Sequence, residues 1–213
     1  MRIIEPSSAS CYVSLASILT AFLFLGCQSG KAQSSDKPAA ASAPAVAATP
    51  SASPATAAPA PAPTTIRINA GATKPLTDTN GNVWLPDQGF TGGETVDRGS
   101  EIAIAKTKAP ALYQTEHYAM TAFSQPLPNG KYTVKLYFAE TYDEITAAGQ
   151  RVFSFTVEDQ AFKDFDVFAK AGGAQKGYVE TVNVKVADGK LDIAFTSQVQ
   201  SPEINGIEII PAL

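Results

Sequence analysis

Through most of residues 66–213 the hydrophobic side chains fall on every second position, and that period admits little except β-structure. In 131–140, Tyr132, Val134, Leu136 and Phe138 share one face of an extended chain, because successive side chains of a strand point to opposite sides. Val182, Val184 and Val186 repeat the pattern, as do Leu191, Ile193 and Phe195. Shorter runs of the same character occupy 66–70, 102–106, 152–157, 165–168 and 204–210. Turn-forming residues separate them: Pro128-Asn129-Gly130, Gly172-Gly173, Asp188-Gly189 and Ser201-Pro202. No stretch carries a helix-period stripe of ten or more residues. Eight or nine short strands, each with one apolar face, predict an all-β fold built as an antiparallel two-sheet sandwich. A segment of this length is large enough for one good core.

The chain ahead of residue 66 is of a different kind. Arg2 lies near the amino terminus, and 12–26 form an apolar run of about 15 residues, short of the roughly 20 that a membrane-crossing helix needs. That is the length of the hydrophobic part of a secretory signal. It ends in Leu23-Phe24-Leu25-Gly26-Cys27, which resembles a bacterial lipobox, although Phe24 stands where an aliphatic residue is usual. On this basis 1–26 is expected to be a lipoprotein signal peptide and Cys27 the lipidated residue. A plain signal cut elsewhere, or an uncleaved anchor, is the alternative. Stable anchoring needs more than one acyl chain, which a multiply acylated cysteine supplies. Gln28, where an inner-membrane retention signal would show Asp, points to the outer membrane or cell surface of a bacterial envelope. From Ala32 to Thr65, 30 of 34 residues are Ala, Pro, Ser or Thr, seven of them Pro. Such a segment buries too little apolar surface to offset the entropy of ordering, so 27–65 is expected to be a disordered tether.

Composition removes many chemistries. Two cysteines, Cys11 and Cys27, make neither a disulfide framework nor a thiolate zinc site, and one histidine, His117, rules out any multi-histidine metal centre. Any Ser-His-Asp arrangement would rest on that imidazole alone. Net charge is −4 with no basic block, which argues against nucleic-acid binding. Glycoside cleavage needs two carboxylates facing one bond. Candidates are Glu116, Glu140, Asp143, Glu144, Asp164 and Asp166, with Asp164 and Asp166 alternating as on the solvated face of a strand. No cofactor motif is present, and Asp78-Thr79-Asn80-Gly81-Asn82 has the composition of a turn. No enzymatic activity is expected. The tyrosines are more informative. Tyr113 and Tyr118 flank Gln114-Thr115-Glu116-His117, and Tyr142 closely follows the strand that ends at Glu140. Such rings either finish the rim of a core or offer a face on which a pyranose can stack.

Several blocks occur together and in order: Asn69-Ala70-Gly71; Trp84 and Asp87 before Phe90-Thr91-Gly92-Gly93; Leu112-Tyr113-Gln114-Thr115-Glu116-His117-Tyr118; Leu136-Tyr137-Phe138-Ala139-Glu140-Thr141-Tyr142; Gly149-Gln150-Arg151-Val152-Phe153; Phe165-Asp166-Val167; and Pro202-Glu203-Ile204-Asn205-Gly206-Ile207-Glu208-Ile209. In combination they resemble the malectin domain family over essentially all of 66–213. The resemblance implies a jelly-roll sandwich related to galactose-binding-like domains, and a domain that binds carbohydrate without cleaving it. By position Tyr118 and Tyr142 match the family's sugar-stacking tyrosines. Asp143 stands where an aromatic follows the second tyrosine, Gln200 stands where the family has a ligand-binding aspartate, and 93–109 holds no aromatic. The expected site is therefore Tyr118 and Tyr142 as platforms, with Glu116, Glu140, Asp143 and Gln200 as polar contacts. The expected partner is an oligo- or polysaccharide, glucose-containing by family habit, met by a protein held to the membrane through its lipid. An envelope module that keeps the sandwich and has lost the sugar site is the alternative.

Overall fold

The computed structural model describes residues 64–212. The signal segment 1–26, Cys27 and the tether 27–65, save Thr64 and Thr65, lie outside the described residues. The chain begins with β1 (Ile66–Asn69), β2 (Leu76–Thr77), β3 (Val83–Trp84), β4 (Phe90–Thr91) and β5 (Glu94–Asp97). A 3₁₀ turn at Pro110–Tyr113 leads to β6 (Thr115–Tyr118), β7 (Ala122–Pro126), β8 (Gly130–Phe138), β9 (Val152–Val157) and β10 (Gln160–Phe165). A single helical turn, α1 (Val167–Ala171), precedes β11 (Tyr178–Val186), β12 (Lys190–Val199), β13 (Glu203–Ile204) and β14 (Gly206–Pro211).

Two antiparallel sheets make the sandwich. One runs β1-β14-β8-β11 and the other β10-β9-β12-β7-β4. The inward rows of β8 (Tyr132, Val134, Leu136, Phe138), β9 (Phe153, Phe155, Val157) and β12 (Leu191, Ile193, Phe195) meet in one continuous core. Burying each such side chain contributes about 1.5–3 kcal/mol, several times the roughly 0.2–1 kcal/mol of a cross-strand pair, so these rows set the register. The all-β antiparallel sandwich expected from the alternation is the fold observed.

Two segments differ from the sequence expectation. Residues 102–106 form no strand; Ala105 alone makes an isolated bridge to Lys176. Their alternation reflects burial, since Ile104 packs with Trp84, Leu112 and Tyr113 in a second, smaller core cluster. Residues 165–168 are split, with Phe165 ending β10 and Val167 opening α1. Asp166 faces no strand partner; its carboxylate accepts from the Ala169 N–H at 2.9 Å and caps the helical turn.

A third antiparallel sheet, β13-β6-β5, flanks the sandwich. Asn205 joins the two. It lies between β13 and β14 and is fully buried, its Oδ1 accepts from the Ala139 N–H at 2.6 Å, and its Nδ2 donates to the Thr115 carbonyl at 2.9 Å. One amide thus ties the end of β8 to the start of β6.

Candidate functional site

The site is built on the three-stranded sheet. Tyr118 on β6 pairs with Glu203 on β13 and with Glu94 on β5, while Glu116 pairs with Val96. Directly opposed residues project from the same face, so Glu94, Val96, Glu116, Tyr118 and Glu203 share one face. Thr115 and His117 project from the other. On the first face a pocket of about 280 Å³ is bounded by Val96, Arg98, Glu116, Tyr118, Tyr142, Arg151, Gln200 and Ser201.

Of the residues expected from sequence, Tyr118, Tyr142, Glu116 and Gln200 meet in this pocket. Both tyrosines are half-buried and Gln200 is exposed. Gln200 adopts φ 60°, a left-handed conformation costly for a residue with a Cβ. Glu140 is wholly buried, and together with the exposed Asp143 it borders a neighbouring depression that also takes in Tyr142, Ile145 and Phe168. Neither Glu140 nor Asp143 therefore lines the pocket that gathers Glu116 and Gln200. Tyr113 is 2% exposed in the second core cluster, where burial pushes its phenol up to about 12 against the pull of a Thr107 hydrogen bond. It is neither a rim residue nor a platform.

Beneath the rings lies a charged floor whose arginines the sequence analysis did not single out. Arg98 Nη2 donates to Glu116 Oε1 at 2.6 Å, and the Thr141 hydroxyl donates to the other Glu116 oxygen. Arg151 Nε donates to Glu140 Oε2 at 2.7 Å, and its Nη1 to the Ser201 carbonyl at 2.6 Å. Glu140 Oε1 also accepts from the Tyr142 N–H at 3.0 Å, which fixes the backbone beneath that ring. The Arg98 guanidinium carbon lies 5.6 Å from the centre of the Tyr142 ring, within cation–π range. A signal for Arg151 was present: a lone cation just ahead of the apolar row of β9. Glu203 lies within the continuously buried stretch 202–209, directly before Ile204, and gave no separate signal.

The Tyr118 hydroxyl donates to Glu94 Oε2 at 2.8 Å. That bond, helped by slight burial, holds the phenol above the ordinary tyrosine value; a Glu144 carboxylate does the same for Tyr142. Both rings are thus neutral phenols at physiological pH. Their faces can stack on C–H surfaces while guanidinium and amide groups hydrogen-bond to hydroxyls. Glu116 and Glu140 are committed to arginines, so neither is a free carboxylate facing the pocket.

His117 serves the opposite face. Its ring stacks on Phe90 with centroids 4.3 Å apart, Nδ1 lies 3.0 Å from Asp87 Oδ1, and Nε2 lies 2.9 Å from the Gly92 carbonyl. Both nitrogens face acceptors, which leaves none for activating a nucleophile. Burial alone would lower the imidazole, but the Asp87 and Gly92 hydrogen bonds outweigh it and the net direction is upward. Among the described residues, no group of three or more His, Cys, Asp or Glu side chains is arranged to hold a metal ion.

The fold and parts of the sequence recur in known proteins. Receptor-like protein 4 of Arabidopsis thaliana is 36% identical over 171 residues, an alignment covering 70% of this chain and 26% of that protein. The chain spans 26% or less of the length of each curated relative it matches. Among solved structures, β-glucuronidase of Bacteroides uniformis superposes with a TM-score of 0.63 at 19% identity, covering 70% of this chain and 18% of that one. The extracellular domain of ANXUR2 from Arabidopsis thaliana gives 0.59 at 17% identity, covering 68% and 47%. At these identities the structural likeness speaks for the fold alone. The malectin domain family matches over residues 64–208, nearly the whole described domain, and the chain belongs to that family.

Proposed function

We propose that this protein is a non-catalytic carbohydrate-binding module, held at a bacterial envelope by lipid on Cys27, in the outer membrane or at the cell surface. The observation that carries the proposal is the convergence of Tyr118 and Tyr142 on one pocket with Arg98 and Gln200 at its edge. About 280 Å³ lies near the lower end of small-ligand pockets, the size for one or two sugar rings. Few stacking surfaces imply weak single-site binding, about −4 to −6 kcal/mol, which many copies on one membrane would offset by avidity.

The test is calorimetric titration of the full chain with glucose and galactose disaccharides. Binding by at least one, lost in both Tyr118→Ala and Tyr142→Ala with the fold intact, is expected. Binding that ignores both substitutions would sink the proposal. Metabolic labelling with palmitate tests the anchor: incorporation that persists in Cys27→Ala removes it. The second reading, an interaction module without a sugar site, is favoured by the missing aromatics in 93–109 and by Asp143 lying outside the pocket. A pull-down that recovers one protein partner, with no response to any sugar, would support it.

A further inference from the structure

Glu116, Arg98 and Arg151 line the pocket, and two further buried glutamates, Glu140 and Glu203, interact with them. Glu116 and Glu140 each have an arginine, whereas Glu203, 0% exposed, has no hydrogen-bond partner at either carboxylate oxygen. Its register opposite Tyr118 places it on the pocket face of the sheet. The groups in electrostatic reach of it are Glu116 on β6, Glu140 after β8, Arg151 before β9 and Arg98 after β5. With Glu203 uncharged, two cations balance two anions. With Glu203 ionised, a third anion enters a space where an unpaired charge is strongly unfavourable. Burial, then Glu116 and Glu140, hold this carboxyl well above the ordinary range, and Arg151 and Arg98 pull the other way without prevailing.

The two arginines are not equally free to answer that charge. Arg151 is 5% exposed and is held by both Glu140 oxygens and the Ser201 carbonyl. Arg98 is 24% exposed and is held by Glu116 alone, and its buried Nε has no partner. An orphan donor thus stands in the same cluster as two orphan acceptors. Arg98 also lies over the Tyr142 ring, so any movement of its guanidinium changes a platform.

We propose that Glu203 is a positioning residue for the pocket: as an uncharged acid it leaves Arg98 on Glu116 and over Tyr142, and on losing its proton it draws Arg98 away and weakens ligand binding. The inference rests on the sugar-binding proposal and adds that binding is gated by one buried proton. A ligand-free readout keeps the two separable. Arg98 touches the ring and the pocket; Glu203 acts only through Arg98.

The experiment follows the full chain from pH 5 to 10, with glutamate side-chain carboxyls labelled with ¹³C and arginine Nε with ¹⁵N. In the ligand-free wild type, one glutamate remains protonated at neutral pH, and the Arg98 Nε–H resonance shifts with that glutamate's midpoint. In Glu203→Gln the titrating carboxyl is gone and the Arg98 resonance is stationary. In parallel, maltose affinity of the wild type falls about tenfold or more through the same midpoint, within the range of ordinary site-to-site coupling. In Glu203→Gln it does not change with pH. Glu203 ionised at neutral pH, an Arg98 resonance indifferent to its titration, or an unaltered pH profile in Glu203→Gln would each overturn the inference. Should Glu203→Gln fail to fold, the two wild-type resonances still decide the coupling. Should maltose bind at no pH, the sugar proposal fails for that probe, while the same resonances still support or overturn the hold of Glu203 on Arg98.

Discussion

Arg151 Nε lies 2.7 Å from Glu140 Oε2, and the two side chains are 5% and 0% exposed. A pair so fully removed from water adds little net stability over an apolar pair, but breaking it strands a charge. Arg151→Met is therefore expected to destabilise the domain by about 3–5 kcal/mol, read as a lower urea midpoint. Adding Glu140→Gln removes the stranded charge, and the double variant should recover part of the loss. A double variant no better than the single one would mean that Arg151 acts through its bond to the Ser201 carbonyl.

His117 offers a pH test. Its imidazole is raised above 6.5 by the Asp87 and Gly92 hydrogen bonds, in opposition to burial. A group raised in the fold binds its proton more tightly folded than unfolded. Its contribution is therefore complete below the unfolded value and is lost as pH rises through the folded value. Stability should begin to fall above about pH 6.5. In Asp87→Asn that fall should shrink and the imidazole titrate lower, because the amide can still accept from the Gly71 N–H while the charge is gone. Histidine ring proton shifts against pH, with urea midpoints at pH 6 and 8, measure both. An unchanged His117 midpoint in Asp87→Asn would be the contrary result.

The sandwich was legible because its long strands are buried on one face and wet on the other: Tyr132, Val134, Leu136 and Phe138 leave one choice of inside. The same rule misread 102–106 and 165–168. Ile104 is buried by a second cluster rather than by a ladder, and Phe165 and Val167 are both buried across a junction that Asp166 caps. Alternation reports burial, and burial has causes other than strand pairing. At the pocket, Tyr118, Tyr142, Glu116 and Gln200 were legible through resemblance, a positional signal. Arg98 and Glu203 were not, and the lone cation ahead of β9 marked Arg151 without its role, because no local pattern marks which acid a cation will meet 11 or 18 residues away. Tyr113 has the same local setting as Tyr118 and the opposite fate, decided by the 3₁₀ turn that carries it inward.

Gly93 controls how closely β5 approaches β6. It sits at φ 83°, and a Cβ there would collide with the Tyr118 carbonyl and come within 2.9 Å of His117 Nε2. Gly93→Ala must strain the backbone and push the strands apart, at a cost of about 2–4 kcal/mol. Because the displaced carbonyl belongs to Tyr118, disaccharide binding should fall with stability. Retained binding in a destabilised Gly93→Ala would show that the Tyr118 platform does not depend on this contact.

Gln200 separates a side-chain contact from backbone strain. Its φ of 60° suits glycine better than any residue with a Cβ, and its exposed side chain borders the pocket. Gln200→Gly relieves the strained conformation but adds freedom to the unfolded chain, effects of about 1 kcal/mol each with opposite sign. Stability should therefore stay within about 1 kcal/mol of wild type. If the amide hydrogen-bonds a sugar hydroxyl, disaccharide affinity should drop about three- to tenfold, the worth of one such bond. Gln200→Ala should match that loss of affinity with stability close to wild type, because it keeps the same strained φ that Gln200 already has. Equal affinity in wild type and both variants, with the domain folded, would take Gln200 out of the site and leave binding to the rings and Arg98.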